Sequence, residues 1–204
     1  MRTAVLIAAL CAAAAPAFAD PPAPPSAAAQ STAPGLPVQV RENGLIGVWY
    51  PPAPGAERAA VLVVGGSEGG LAGAYYLGAK LAARGYAVFG PAYFGMPGLP
   101  QNLQDVPLEY FSKAIVWMRA QPGVDPERIG VWGISKGGEA ALLIATRHPE
   151  IKAVVAGDPS SVVWQGINLK DFTPKSSWDE YDPNPLWSRI CQKSRAPSSR
   201  RSVQ

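Results

Sequence analysis

Histidine is almost absent from this chain: one residue, His148, in 204. Cysteine is nearly as scarce, with only Cys11 and Cys191. A structural or catalytic zinc site draws three or four ligands from His, Cys and carboxylates, so this composition supplies no metal-ligand cluster, and no metal is expected. Neither a G-x-G-x-x-G nor a G-x-x-x-x-G-K-[ST] segment occurs, so no nucleotide cofactor is expected either. Charge is also modest. Eighteen Lys and Arg against fifteen Asp and Glu leave +3, with no basic stripe interleaved with aromatics, which argues against nucleic acid as a partner. No segment beyond the N-terminus is apolar over a length that could span a bilayer.

What is present begins with a leader. Arg2 provides a positive start, Ala4 to Ala15 an apolar core, and Ala17-Phe18-Ala19 a small-x-small cleavage pattern. This reads as a secretory signal, residues 1–19, cleaved after Ala19. The expected location is therefore secreted or periplasmic. Cys11 would leave with the leader, and Cys191 alone could form no intramolecular disulfide. Residues 20–37 are rich in Pro, Ala and Ser and read as a disordered linker. One folded domain is expected over 38–178, followed by an irregular, Ser- and Arg-rich tail over 179–204.

Within 38–178 the periodicity alternates. Val38–Arg41 and Leu45–Tyr50 flank Asn43-Gly44, a hairpin signal. Ala59–Val64 is a continuous apolar run, as a strand buried on both faces requires. Strands are expected near 38–42, 45–50, 59–65, 86–91, 128–133 and 151–157, and helices near 72–84, 107–120 and 136–147. A hairpin followed by alternating strands and helices implies an α/β three-layer sandwich with a mostly parallel sheet.

The chemistry concentrates at Gly133-Ile134-Ser135-Lys136-Gly137. Between a strand and a helix, G-x-S-x-G is the context of a nucleophile elbow, with Ser135 as nucleophile and the Lys136 amide as one oxyanion donor. The rival is a glycine-rich turn carrying an incidental serine. Gly65-Gly66-Ser67-Glu68-Gly69-Gly70 follows the buried strand, where a second oxyanion amide is expected, from Ser67 or alternatively Gly66. A serine of this type requires a base. His148 stands thirteen positions after Ser135, at the far end of the elbow helix, roughly 15–20 Å away at about 1.5 Å per residue, and is read as a helix-end residue. Asp158, after the last strand, is either a triad acid or a turn. Glu68 and Glu139 read as solvated or structural. Trp164 and Trp178 could line an acyl pocket or simply pack.

Seven stretches in order give the chain a resemblance. They are Gly65–Leu71, Leu81–Val88, Ala92–Gly95, Gly98–Pro100, Pro107–Phe111, Ile129–Glu139 and Pro159–Gly166. Together, residues 60–178 resemble the C-terminal catalytic domain of the acyl-CoA thioester hydrolase / bile acid-CoA:amino acid N-acyltransferase family. The resemblance implies an α/β-hydrolase fold, a nucleophile–acid–histidine triad with Ser135 as nucleophile, and cleavage or transfer of the acyl group of acyl-CoA thioesters. Transferring members typically carry Cys at the nucleophile position, so Ser135 favours hydrolysis. The family's acid and histidine lie downstream of the Trp164-Gln165-Gly166 stretch, and the match runs out near Trp178. The chain is thus expected to be the front part of a hydrolase domain lacking its last strands, with a tail that reads like a shifted frame.

Three functions compete at this stage. The first is an acyl-thioester hydrolase, inactive as written if acid and histidine are missing. The second is an exported carboxylesterase or dienelactone-hydrolase-like enzyme, and the third a non-enzymatic remnant or binding module. In each the partner is a small acyl thioester or ester, or none, and the last strand forms an exposed edge through which copies could self-associate.

Overall fold

The structure is a computed structural model and describes residues 35–168, 170 and 175–179, all within the compact unit of residues 32–204. The leader, nearly all of the linker and the tail beyond Asp179 lie outside the described residues.

The chain enters through an antiparallel hairpin, β1 (Val38–Glu42) and β2 (Leu45–Tyr50). Asn43 and Gly44 both have positive φ, 52° and 77°. That combination makes the tight reversal whose twist matches the flanking strands. The next elements are β3 (Arg58–Val64), α1 (Ala72–Ala82), β4 (Ala87–Pro91) and α2 (Glu109–Arg119). They are followed by β5 (Val124–Ile134), α3 (Lys136–Arg147) and β6 (Ile151–Gly157). The six strands form one sheet in the order β1-β2-β4-β3-β5-β6. β2 joins β4 antiparallel, while β4, β3, β5 and β6 run parallel. This is the mostly parallel α/β sheet that the alternating pattern predicted.

Alternation along the strands separates two cores. Leu62, Val64, Phe89, Ile129 and Val131 point to one face and pack against Phe111, Ala114, Ile115 and Met118 of α2 and Ala140, Ala141 and Ile144 of α3. Val48, Val63 and Val88 point to the other, where Ala74 and Ala82 of α1 cover them. Small residues let α1 approach closely: a Cβ on Gly78 would meet the Tyr50 ring, and one on Gly90 would meet Ala74. The apolar stripe at helical spacing formed by Leu108, just ahead of α2, and by Phe111, Ile115 and Met118 is buried throughout.

The element boundaries differ from the sequence reading in one informative place. β5 begins at Val124 instead of near 128, because Arg58 pairs with Val124 ahead of a register shift. The Arg58 amide also donates to the Gly123 carbonyl at 2.9 Å. The segment Val124-Asp125-Pro126-Glu127 has no apolar alternation, so its strand character comes only from a neighbour distant in sequence.

Phe111 has no exposed surface and sits where α2 meets the sheet. Phe111→Ala is expected to destabilise the domain by about 3–5 kcal/mol, read as a fall in the urea midpoint without a change in slope.

Candidate active site

At the carboxyl end of β5 the chain must turn into α3 within one residue. Ser135 makes that turn at φ 52°, ψ −118°. This is a conformation that L side chains adopt at a cost of order 1–3 kcal/mol, and one that surrounding packing must enforce. The enforcement is visible. The Ser135 amide donates to the Gly157 carbonyl of β6 at 2.8 Å, and its own carbonyl accepts from the Glu139 amide at 3.1 Å. A Cβ on Gly133 would strike the Gly137 backbone, and one on Gly137 would strike the carbonyl oxygens of Val64 and Gly65. The two glycines let α3 start against β3 and β5 with no side chain between. Ser135 itself is exposed.

Around it is a cleft of about 180 Å³, lined by Ser67, Ser135, Lys136, Glu139, Asp158, Ser160 and Trp164. The structure therefore brings together Ser135, Lys136, Ser67 and Asp158. Lys136 opens α3, where helix geometry leaves its N–H without an intrahelical acceptor and the positive end of the helix dipole favours a developing anion. The two candidates on the β3 loop separate. The Gly66 amide is engaged, donating to Glu68 Oε1 at 3.0 Å, whereas the Ser67 amide has no hydrogen bond among the described residues and Ser67 borders the cleft. Glu68 fills the space beside Gly65, Gly66 and Gly73, so its role is to shape this loop. Tyr93 braces the same loop from below, its Oη 2.8 Å from both the Gly65 and Gly66 carbonyls. Burial above all, then the nearby Glu68 and Glu139 carboxylates, drives the Tyr93 phenol far above its ordinary value. It therefore remains a donor.

The residue whose importance the sequence reading understated is Glu139. It is 3% exposed, buried rather than solvated, and collects donors from across the site. Lys136 Nζ lies 3.2 Å from each carboxylate oxygen. Trp178 Nε1 donates at 2.7 Å, Ser160 Oγ at 3.0 Å, and the Trp164 amide at 3.4 Å. Lys136 Nζ donates in addition to the Trp164 carbonyl at 3.1 Å. Desolvation pulls the Lys136 ammonium below the ordinary lysine value, and Glu139 opposes that shift. With three acceptors around Nζ, Lys136 acts as a clamp between Glu139 and the Trp164 segment. Position 139 could have been flagged by one signal: a carboxylate four residues into a helix whose neighbours Gly138, Ala140 and Ala141 are all small enough to be buried.

Trp178 packs in the core, 2% exposed, against Tyr93 and Phe111, while Trp164 is 59% exposed at the rim of the cleft. Asp158, with φ 45°, follows β6 and lines the cleft together with Ser135. His148 is elsewhere. Its Nε2 lies 2.8 Å from Ser112 Oγ on α2 and its Nδ1 2.9 Å from Glu150 Oε1. The hydrogen bond to His148 is the main reason the Glu150 carboxyl sits below the usual carboxylate range. The histidine thus ties α2 to the α3–β6 connection, and both of its ring nitrogens are engaged there. It does not reach the cleft, and among the described residues no other imidazole can serve Ser135.

Replacing the Glu139 carboxylate by an amide would point an N–H₂ at groups that are themselves donors. Glu139→Gln is expected to cost about 1–3 kcal/mol in stability and to free the segment around Trp164. Hydrogen exchange should report this as faster amide exchange at 160–168 than in α2. Trp178→Phe, which removes one donor and also part of a buried ring, should likewise speed exchange over 160–168.

Residues 106–180 match the family model described as BAAT / Acyl-CoA thioester hydrolase C terminal. Acyl-coenzyme A thioesterase 1 of Mus musculus is 37% identical over 138 residues, 67% of this chain and 32% of that protein. Acyl-coenzyme A amino acid N-acyltransferase 2 of Rattus norvegicus is 33% identical over 135 residues, 66% of this chain and 32% of that protein. The chain thus spans about a third of the length of these relatives. In fold it is similar to a structure described as a dienelactone hydrolase from Klebsiella pneumoniae subsp. pneumoniae. The TM-score is 0.53 at 22% identity, covering 71% of this chain and 65% of that one. The chain has an α/β-hydrolase fold, and its residues 106–180 match the BAAT / Acyl-CoA thioester hydrolase C-terminal family.

Proposed function

We propose that Ser135 is the nucleophile of an acyl-thioester hydrolase site. The observation that carries this reading is the exposed serine held at positive φ between Gly133 and Gly137, facing a cleft it shares with Ser67 and Lys136. In the proposed reaction Ser135 Oγ attacks the acyl carbon, and its proton passes to solvent water. The developing oxyanion takes hydrogen bonds from the Lys136 and Ser67 amides. The carbon–sulfur bond then breaks, and the thiolate leaves with a proton. Water attacks the acyl-serine ester, releases the carboxylic acid and restores the hydroxyl. A serine here, in place of the cysteine typical of the transferring relatives, favours water over an amine as the final acceptor.

The base is the weak link. General-base assistance contributes about 10²–10⁴-fold, and His148 is committed to Ser112 and Glu150. The chain as written is therefore a slow hydrolase, with acceleration limited to what oxyanion donors and binding provide, about 10³–10⁴ over water in triad enzymes stripped of a member. Residues 1–19 are proposed to direct export, with cleavage after Ala19. That location supports a second reading, an ester substrate, because an exported enzyme meets little acyl-CoA.

Paired assays on palmitoyl-CoA and p-nitrophenyl palmitate separate the two. Faster release of CoA is expected, at a low rate that Ser135→Ala reduces to background and His148→Ala leaves unchanged. Faster ester cleavage with the same Ser135 dependence would support the second reading. Turnover that survives Ser135→Ala would refute both.

A further inference from the structure

The loop after β3 meets one buried hydroxyl twice. Tyr93 Oη lies 2.8 Å from the Gly65 carbonyl oxygen and 2.8 Å from that of Gly66. The Tyr93 ring is 3% exposed and packed among Phe94, Phe111 and Trp178, so it cannot follow the loop if the loop turns. Two successive carbonyls on one donor have a consequence for the amides behind them. A trans peptide unit is planar, and its C=O and N–H point in opposite directions. The Gly65 carbonyl shares its unit with the Gly66 N–H, and the Gly66 carbonyl shares its unit with the Ser67 N–H. Both amides are therefore turned away from Tyr93. In the first unit the Gly66 N–H meets Glu68 Oε1 at 3.0 Å. The second aims its N–H to the side where Ser67 is exposed and borders the Ser135 cleft. The loop also lies against the elbow, since a Cβ on Gly66 would stand 3.5 Å from Ser135 Cβ.

We infer that Tyr93 is a positioning residue of the Ser135 site: its hydroxyl sets the plane of the Gly66–Ser67 peptide and so aims the Ser67 N–H at the developing oxyanion. The catalytic half of this inference rests on the hydrolase reading of Ser135. Tyr93 touches no substrate and acts only through the backbone. A pair of glycines needs such a brace, because without Cβ atoms positions 65 and 66 have more backbone states open to them than other residues would. Released from the hydroxyl, the Gly66–Ser67 peptide is free to rotate and its amide no longer stands preorganised. An amide aimed at the tetrahedral oxygen is used fully only as charge develops there, so the hydroxyl should matter for the chemical step and not for substrate binding.

Tyr93→Phe removes the hydroxyl and keeps the ring. With p-nitrophenyl acetate, whose leaving group keeps slow acylation measurable, kcat is expected to fall about 10–100-fold, short of the 10²–10³ that loss of a whole oxyanion donor costs. KM should stay within about twofold. The residual dipolar coupling of the Ser67 N–H, which reads the direction of that bond, should change while those of α3 do not. Tyr50→Phe is the control. It removes another buried phenol, one that donates to the Tyr75 carbonyl at 3.3 Å on the opposite face of the sheet, and should leave kcat unchanged. An unaltered Ser67 coupling in Tyr93→Phe would overturn the proposal. So would an altered coupling with an unaltered, Ser135-dependent kcat, or an equal loss of kcat in Tyr50→Phe. If wild-type turnover survives Ser135→Ala, the hydrolase reading fails, and the Ser67 coupling still decides whether Tyr93 sets the peptide plane. Should circular dichroism show Tyr93→Phe unfolded, the wild type decides: labelling Ser135 with a phosphonofluoridate should move the Ser67 amide proton downfield, and an unmoved proton would overturn the proposal.

Discussion

The contact between the first turn of α3 and the carbonyls at the ends of β3 and β5 is the constraint on which the site depends. No side chain fits at Gly133 or Gly137. Only because that space is empty can the helix begin within one residue of the strand and hold Ser135 at φ 52°. The strain at Ser135 is small beside the packing that imposes it. Two buried cores press the helices onto opposite faces of the sheet, and relaxing the turn would require α3 to lift away from one of them. A loop could not hold a serine this way, because it lacks a rigid strand on one side and a rigid helix on the other.

Glu139 extends the same logic from backbone to side chain. A carboxylate taken out of water is costly unless its oxygens are fully engaged. Here the donors come from four places in the chain: Lys136 one turn earlier, Ser160 and Trp164 after β6, and Trp178 near the end of the described residues. The described part of the segment following β6 has little regular structure, and this one group holds it to the domain together with two isolated bridges, Leu103–Ile167 and Val106–Trp178. The polar network therefore does what secondary structure does elsewhere in the domain. Lys136 serves it twice, through an amide that faces the cleft end of the helix and an ammonium that faces Glu139.

The single histidine shows how a residue type associated with catalysis can be absorbed by architecture. Its placement between Ser112 and Glu150 links α2, α3 and the entry to β6 at the end of the sheet opposite Ser135. Serine, imidazole and carboxylate in a hydrogen-bonded row are not by themselves a hydrolase site. The row at 112–148–150 lacks what the Ser135 turn has, a strained and exposed serine beside helix-terminal amides.

Sequence alone determined the α/β class, the six strands and three helices, and the position of the elbow, because these rest on local signals. Apolar runs of strand and helix period, Asn43-Gly44 at the hairpin and the spaced glycines of 133–137 each report a requirement that neighbours in the chain impose. Even His148 was legible as distant from Ser135, since a helix of known rise separates them. What only the tertiary structure decided are the matters that depend on residues far apart in sequence. Val124–Glu127 became strand because Arg58 lies beside it. The sequence put Ser67 ahead of Gly66 without a geometric ground, and the Glu68 carboxylate supplies one by engaging the Gly66 amide. Glu139 read as solvated or structural with no way to choose, since burial of a charge is set by the donors that converge on it, and those come from residues up to 39 positions away. Local pattern fixes which elements form; the pairing of polar groups across the fold fixes which of them make a site.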